Sequence, residues 1–395
     1  MMKIRSLKTV AIGLVAAMIM VVLPSMLGVD IVSDAAAAGH VITVDDSGGA
    51  DYLHIQDAID AASNGDIIYV YSGVYNENII VDKSIKIIGE EKDTTIIDGM
   101  KKDSVVKIEA PHVFLTGFTL TSSASDTTSS GVFITRNGYN SLILNNRIHR
   151  CTNGIRVYSN NVTIMKNEIT TPIYRYGIYL AGDLHNPVLN NNIVFNKIIE
   201  DQNITYALAL YHSHHNVLRG NTIGSIIQGV GIFLYNSTHN IISDCNILNN
   251  RGGIYIEHSS NNTISNCNIL DNGIGVYLPC SPNTIIENCV ITRCGSGVNT
   301  SSDADHTKII DCEISNNSHW GVFLAYAKSF IVTNCEIKYN HMGVAVWPCD
   351  SSTVKNCNIS NNNYGVYIPS GKWIGGWRYN YSNMIYHNNF VDNTV

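Results

Sequence analysis

The sequence predicts an all-β fold: a right-handed, three-sided parallel β-helix of about 22-residue coils, with a short capping helix at its N-terminal end. The first observation is a repeat. An Asn-or-Cys position recurs at Asn146, Asn167, Asn191, Asn221, Cys245, Cys267, Cys289, Cys312, Cys335, Cys357 and Asn388, mostly in steps of 22 or 23 residues. A second such column follows five residues later, at Cys151, Asn196, Asn250, Asn272, Cys294, Asn317, Asn340, Asn362 and Asn393. The second observation is period. In NTISNCNILDNGIGVYL (262–278) the apolar residues Ile264, Ile269, Ile274, Val276 and Leu278 fall on alternate positions, and Asn, Asp, Gly and Ser interrupt the runs. That is the pattern of short half-buried strands and turns. The third is spacing: a coil of this length holds three such strands, and stacked coils pair in parallel about 4.8 Å apart. A right-handed path follows from strand twist.

The elements run in order. Residues 1–38 read as an export signal or an N-terminal anchor: Lys3, Arg5 and Lys8 precede an apolar run from Val10 to Leu27, and Ala35–Ala38 offers a small-residue cleavage site. Residues 39–90 form the cap and first coils. Within them, HIQDAIDAAS (54–63) leaves the strand period, because Ile55, Ala58, Ile59 and Ala62 share one helical face. Such a helix would cover the open end of the stack. Residues 91–395 are the repeats. An insertion, PSGKWIGGWRYN (369–380), carries Trp373, Trp377 and Tyr379 and reads as a ligand loop or a cover for the last coils. The last coil is incomplete at Val395, which leaves an edge for a further segment or a partner. Ten cysteines in an exported chain would suggest disulfides. Stacked neighbours have parallel Cβ vectors, however, so buried free thiols are expected from Cys245 to Cys357.

The stretch ITVDDSGGADYLHIQDAIDAASNGDIIYVYSGVYNENIIVDKSIKIIGE (42–90) and the N-x-I-x-x-N-x-x-G-[IV] repeats resemble the pectin-lyase-like parallel β-helix superfamily. More narrowly they resemble the NosD-type periplasmic and surface proteins, also described as carbohydrate-binding and sugar-hydrolase repeat domains. The resemblance covers about residues 41–395. It implies the same fold and cap, and NosD-like copper handling as one function. The clustered Asp and Ca²⁺/Arg arrangements of polygalacturonases and pectate lyases find no matching positions here, and fold alone does not carry activity.

Charged residues make up only 14% of the chain and the formal charge is −7, without Lys/Arg runs, which argues against nucleic acid. The strand after each Gly-[IV] projects outward residues. One column reads Phe133, Arg156, Tyr179, Ala209, Phe233, Tyr255, Tyr277, Asn299, Phe323, Ala345 and Tyr367; a second includes Tyr158, Tyr211, Tyr235, Glu257 and Trp347. Such rings form either a platform for polysaccharide or glycoprotein glycans or a cross-strand ladder that only stabilises the sheet. Glu313 and Glu336 stack one coil apart near Asp311, a spacing that suits a retaining carboxyl pair or a Ca²⁺ site, with Lys338 beside them to make a solvated charge cluster instead. His185, His215 and His239 fall in one turn column near His212, His214 and His258, and could meet Cu or Zn; Asn261, Asn283 and Asp305 continue that column and suggest turn geometry instead. Eight N-x-[ST] sequons arise from the repeat itself. The leading expectation is a secreted, periplasmic or cell-surface, non-catalytic glycan-binding protein. A polysaccharide lyase or glycoside hydrolase and a copper-handling protein are the alternatives.

Overall fold

The computed structural model describes residues 39–170, 173–199, 204–368 and 382–395. They form a parallel β-solenoid of about 14 turns, built on sheets of 15 strands (sheet A), 14 strands (sheet B) and 13 strands (sheet C). One coil shows the plan: Thr263–Ser265 lies in sheet A, Asn268–Leu270 in sheet B and Ile274–Pro279 in sheet C. The core is a set of vertical apolar stacks. Ile242, Ile264, Ile286 and Ile309 are in register through sheet A, and Ile247, Ile269, Ile291 and Ile314 through sheet B. All eight are fully buried. β-Branched residues suit this arrangement, because their restricted χ1 lets identical side chains nest.

The two polar columns lie inside the corners. Asn317 donates to Asn340 Oδ1 from its backbone N (3.0 Å) and from Nδ2 (2.9 Å), and Asn340 repeats both bonds to Asn362. Each side chain thus satisfies backbone that the turn would orphan. The structure corrects two assignments. Asn167 bonds to Asn196 Oδ1, so Asn196 belongs to the first column, while Asn191 joins a third column through Asn216 and Asn240. Constant spacing failed there because Asn167 and Asn196 are 29 residues apart, a longer coil than its neighbours.

The ten cysteines are all free, and nine are buried. In the first column Sγ of Cys267 donates to Ser265 O at 3.2 Å, and Cys289, Cys312, Cys335 and Cys357 do the same to the carbonyl two residues before. Burial pushes the thiol pKa up to about 11 at Cys151, Cys294 and Cys349.

The cap is helix α1, Ile55–Ala61, with Ile55, Ala58 and Ile59 buried on the stack. Its first two N–H groups are held by one carboxylate: Ile55 N and Gln56 N each donate to Glu77 at 2.9 Å. Gln56 also acts as a substitute strand. Its amide accepts from Ile80 N (2.8 Å) and donates to Ile80 O (3.3 Å), which satisfies the first strand edge of sheet C.

Candidate functional site

Sheets A and B are built mostly from three-residue strands, whereas sheet C strands such as Val230–Tyr235 and Ile274–Pro279 are twice as long. Sheet C therefore has room for three outward columns. The first is the predicted one: Phe133, Arg156, Tyr179, Ala209, Phe233, Tyr255, Tyr277, Asn299, Phe323, Ala345 and Tyr367 are successive register partners. The second pairs Ala181, Tyr211, Tyr235 and Glu257. The third was not legible in the alternation: it contains Asn153, Tyr176, Tyr206 and, farther along, Trp320, Met342 and Tyr364.

A glycine corner explains the omission. Gly275 sits between outward Ile274 and inward Val276, and a Cβ on it would lie 2.6 Å from Gly297 O and 2.7 Å from Ile291 Cγ2. Two consecutive residues thus turn inward, and strict alternation puts the residue before each glycine on the wrong face. Ile274, counted with the core by period alone, is outward and half-buried.

The rings form two groups. In the first, Tyr176 stacks on Tyr179 with centroids 4.4 Å apart, Tyr206 stacks on Phe233 at 4.4 Å, and Tyr211 meets Tyr179 at 5.5 Å and Phe233 at 5.6 Å. Tyr235 joins Tyr211 at 5.7 Å. Ala209 lies beneath, fully buried, because its small side chain lets rings from all three columns lean over it. Tyr255 and Tyr277, edge-on at 5.3 Å, bridge toward buried Asn299, where the ring column is interrupted. The second group gathers Trp320, Phe323, Trp347, Tyr364 and Tyr367, again over a buried alanine, Ala345. Burial raises the phenol pKa of Tyr179, Tyr206, Tyr211 and Tyr255, so these hydroxyls are neutral donors at physiological pH. Such contacts contribute about 0.5–1.5 kcal/mol per ring pair beyond area burial. Trp373, Trp377 and Tyr379 lie outside the described residues.

The carboxyl pair is placed as the spacing implied. Glu313 and Glu336 are register partners on the outer face of sheet B, and Lys338 Nζ reaches both, at 3.4 and 2.7 Å. The hydrogen bond from Lys338 to Glu336, followed by the charges of both acids, raises the lysine pKa. The arrangement is a surface charge triplet in which one lysine bridges two carboxylates.

The histidine column is corrected. His215 and His239 stack at 5.0 Å, but His185 is not their neighbour. Leu189 is in register with His214, which puts Asn190 in the slot before His215; His185 sits in an exposed loop where its N–H donates to Asp183. Asn190, His215, His239, Asn261, Asn283 and His306 all have φ near +57°, so His306, not Asp305, continues the column. The slot selects side chains that tolerate left-handed turns. Two parallel imidazoles do not converge on a point. Among the described residues no three His, Cys, Asp or Glu side chains are arranged to hold a metal ion.

The sequence matches the family described as periplasmic copper-binding protein (NosD) over residues 59–273 and 224–395. This chain belongs to the NosD family. A search of curated proteins gave no match. Solved structures share the fold at low identity. The N-terminal fragment of bacteriophage Phi29 gene product 12 has a TM-score of 0.57 and 14% identity, covering 83% of this chain and 62% of its own. The Dettilon tailspike protein has a TM-score of 0.55 and 13% identity, covering 84% and 69%. A mutant of the periplasmic alginate epimerase AlgG has a TM-score of 0.50 and 13% identity, covering 89% and 85%. NosD membership brings a periplasmic description, in keeping with an exported chain. Its copper description finds no fitting donor set among the described residues.

Proposed function

We propose that this NosD-family chain is an exported, non-catalytic glycan-binding protein that uses the outer face of sheet C. The observation that carries this reading is the breadth of the ring tract. A ladder that only stabilises a sheet needs one column, whereas here Tyr176, Tyr179, Tyr206, Tyr211, Phe233 and Tyr235 come from three columns and pave the surface one coil to either side of Ala209 and from Tyr206 to Tyr211 along its strand. Rings already held by packing on one another lose little entropy on binding a sugar face. The structural neighbours include a periplasmic alginate epimerase, a carbohydrate-acting protein by its name. Catalysis at Glu313 and Glu336 is disfavoured by Lys338, which ties both carboxylates into ion pairs.

The experiment is a glycan array probed with the mature chain, followed by titration of the best binders and analysis of the glycan afterwards. Binding with unchanged glycan, lost in Tyr211→Ala and retained in Glu336→Gln, is the expected result. Product release that disappears in Glu313→Gln or Glu336→Gln would replace the proposal with an enzyme. No binding tighter than about millimolar would remove the glycan reading altogether.

A further inference from the structure

One end of the ring tract holds two arginines without acid partners. Three other guanidinium groups are held by carboxylates: Arg136 by Asp183 at 2.9 Å, Arg147 by Asp93 at 2.6 Å, Arg293 by Asp271 at 2.7 Å. Arg156 and Arg175 lie on consecutive coils of sheet C, in Cys151–Val157 and Ile173–Ala181, and neither forms an ion pair among the described residues. Both rest on rings instead. The Arg156 guanidinium is 4.6 Å from the Tyr158 centroid and 5.4 Å from that of Phe133; Arg175 is 5.3 Å from that of Tyr176. Arg156 donates from Nη1 to Thr128 O (2.9 Å) and from Nη2 to the Tyr158 hydroxyl, which leaves one N–H on each terminal nitrogen. Its Nε and the neighbouring Asn153 Oδ1 are buried without partners. Asp126, the acid that acts on Arg156 from nearby, has its oxygens engaged by Thr128 and Ser129.

Burial is the main influence lowering the Arg156 pKa, and the charge of Arg175 adds to it. Two partly desolvated like charges on adjacent coils are unfavourable in the free protein, and an anion bound between them relieves both terms. A guanidinium fork matches a carboxylate in two parallel hydrogen bonds. Beside the pair, the stacked rings of Tyr176 and Tyr179 supply an apolar floor. A pyranose that carries a carboxylate satisfies both features at once; a neutral sugar satisfies only the floor.

We propose that this end of the tract is an acidic-sugar subsite, in which Arg175, assisted by Arg156, holds the carboxylate of a uronic acid residue lying on Tyr176 and Tyr179. The assignment rests on the glycan reading above and adds the ligand class.

Titration calorimetry of the mature chain at fixed low salt decides it, with three probes: an oligouronate, its carboxyl-reduced neutral counterpart and a sulfated neutral oligosaccharide of equal length. The oligouronate should bind at least tenfold tighter than the neutral chain. Arg175→Gln should abolish that difference while changing neutral-chain binding less than twofold, and Tyr179→Ala should weaken both. The Arg175 side chain makes no hydrogen bond among the described residues, and its backbone O, which accepts from Thr205 N at 3.0 Å, is unchanged by substitution, so its variant is expected to melt with wild type; Arg156→Gln also loosens the 122–129 loop and is interpreted only with a matched melting curve. Equal affinity for charged and neutral chains, or selectivity that survives Arg175→Gln, overturns the subsite and leaves the glycan reading standing. Preference for the sulfated probe overturns the carboxylate assignment. Failure of all three probes to bind counts against the glycan reading itself.

Discussion

Replacing Asn340 with alanine tests whether the asparagine columns hold the solenoid together. Asn340 Oδ1 accepts from Asn317 N at 3.0 Å and Asn317 Nδ2 at 2.9 Å; its own Nδ2 donates to Ile314 O and Asn362 Oδ1, both at 3.1 Å. The site is 3% exposed. In Asn340→Ala the Asn317 backbone N–H loses its acceptor, and one Asn317 amide hydrogen loses another. Each unmet buried donor costs about 1–3 kcal/mol, so about 3–5 kcal/mol is expected once a water has satisfied part of the deficit. Asn340→Cys should cost less, because the thiol can still donate to the carbonyl below, as Cys294 does to Ile269 O at 3.8 Å. Urea denaturation followed by far-ultraviolet circular dichroism gives the ordering wild type, Cys, Ala. An alanine variant within about 0.5 kcal/mol of wild type would refute the argument, since that is the range of an ordinary surface change.

Further outcomes follow from the same geometry. Denatured, unreduced protein should titrate with all ten cysteines as free thiols, while in the native state Cys280, the one that is not buried, reacts first; a disulfide found by mass spectrometry contradicts this. Gly275→Ala should destabilise the fold by about 2 kcal/mol or more, because the new Cβ meets backbone at 2.6 Å that cannot move without shifting the next coil. His149 and His214 have pKa values lowered chiefly by burial, and His214 Nδ1 accepts the Thr238 N–H at 3.0 Å. Because the unfolded chain then binds protons more readily, stability contributed by these groups is present above about pH 6.5 and lost as pH falls below it. A urea midpoint that is flat from pH 7.5 to 5 in wild type, or equally sloped in a His149→Gln/His214→Gln variant, would contradict the assignment.

The parts of the fold that were legible are those in which one coil copies the last. The inward isoleucines, the thiol column and the first outward column all followed from period, because register in a parallel stack is set by residues directly above one another. Where the chain departs from the copy, spacing misled. The longer coil after Asn167 put Asn196 in the first column, moved Asn191 to a third, and drew His185 into a column that Asn190 occupies. The corner, glycine at 177, 321 and 365 and buried alanine at 207, hid Tyr176, Tyr206, Trp320 and Tyr364, since period two cannot register two consecutive inward residues. Glu77 as the cap of α1 was invisible for another reason: a carboxylate 22 residues downstream leaves no local signal.

Tyr206 separates a structural ring from a binding one. Its ring stacks on Phe233 at 4.4 Å and Tyr176 at 5.9 Å, and together with them it roofs Ala209. Truncation to alanine removes two ring pairs and opens the cover, at a cost of about 2–4 kcal/mol, below the range for a fully buried aromatic because Tyr206 keeps part of its surface in solvent. In a solenoid each coil is coupled to its neighbours alone, so this loss stays local and the distant Trp320–Tyr367 group keeps its geometry. That separation supplies an internal control. If the rings bind sugar, Tyr206→Ala weakens a short oligosaccharide that fits one group far more than Trp347→Ala does or the reverse, according to which group it occupies, and a long chain spanning both loses affinity in either variant. If the rings are only a sheet-stabilising ladder, both variants lower the melting temperature and neither changes the dissociation constant of any glycan measured well below that temperature.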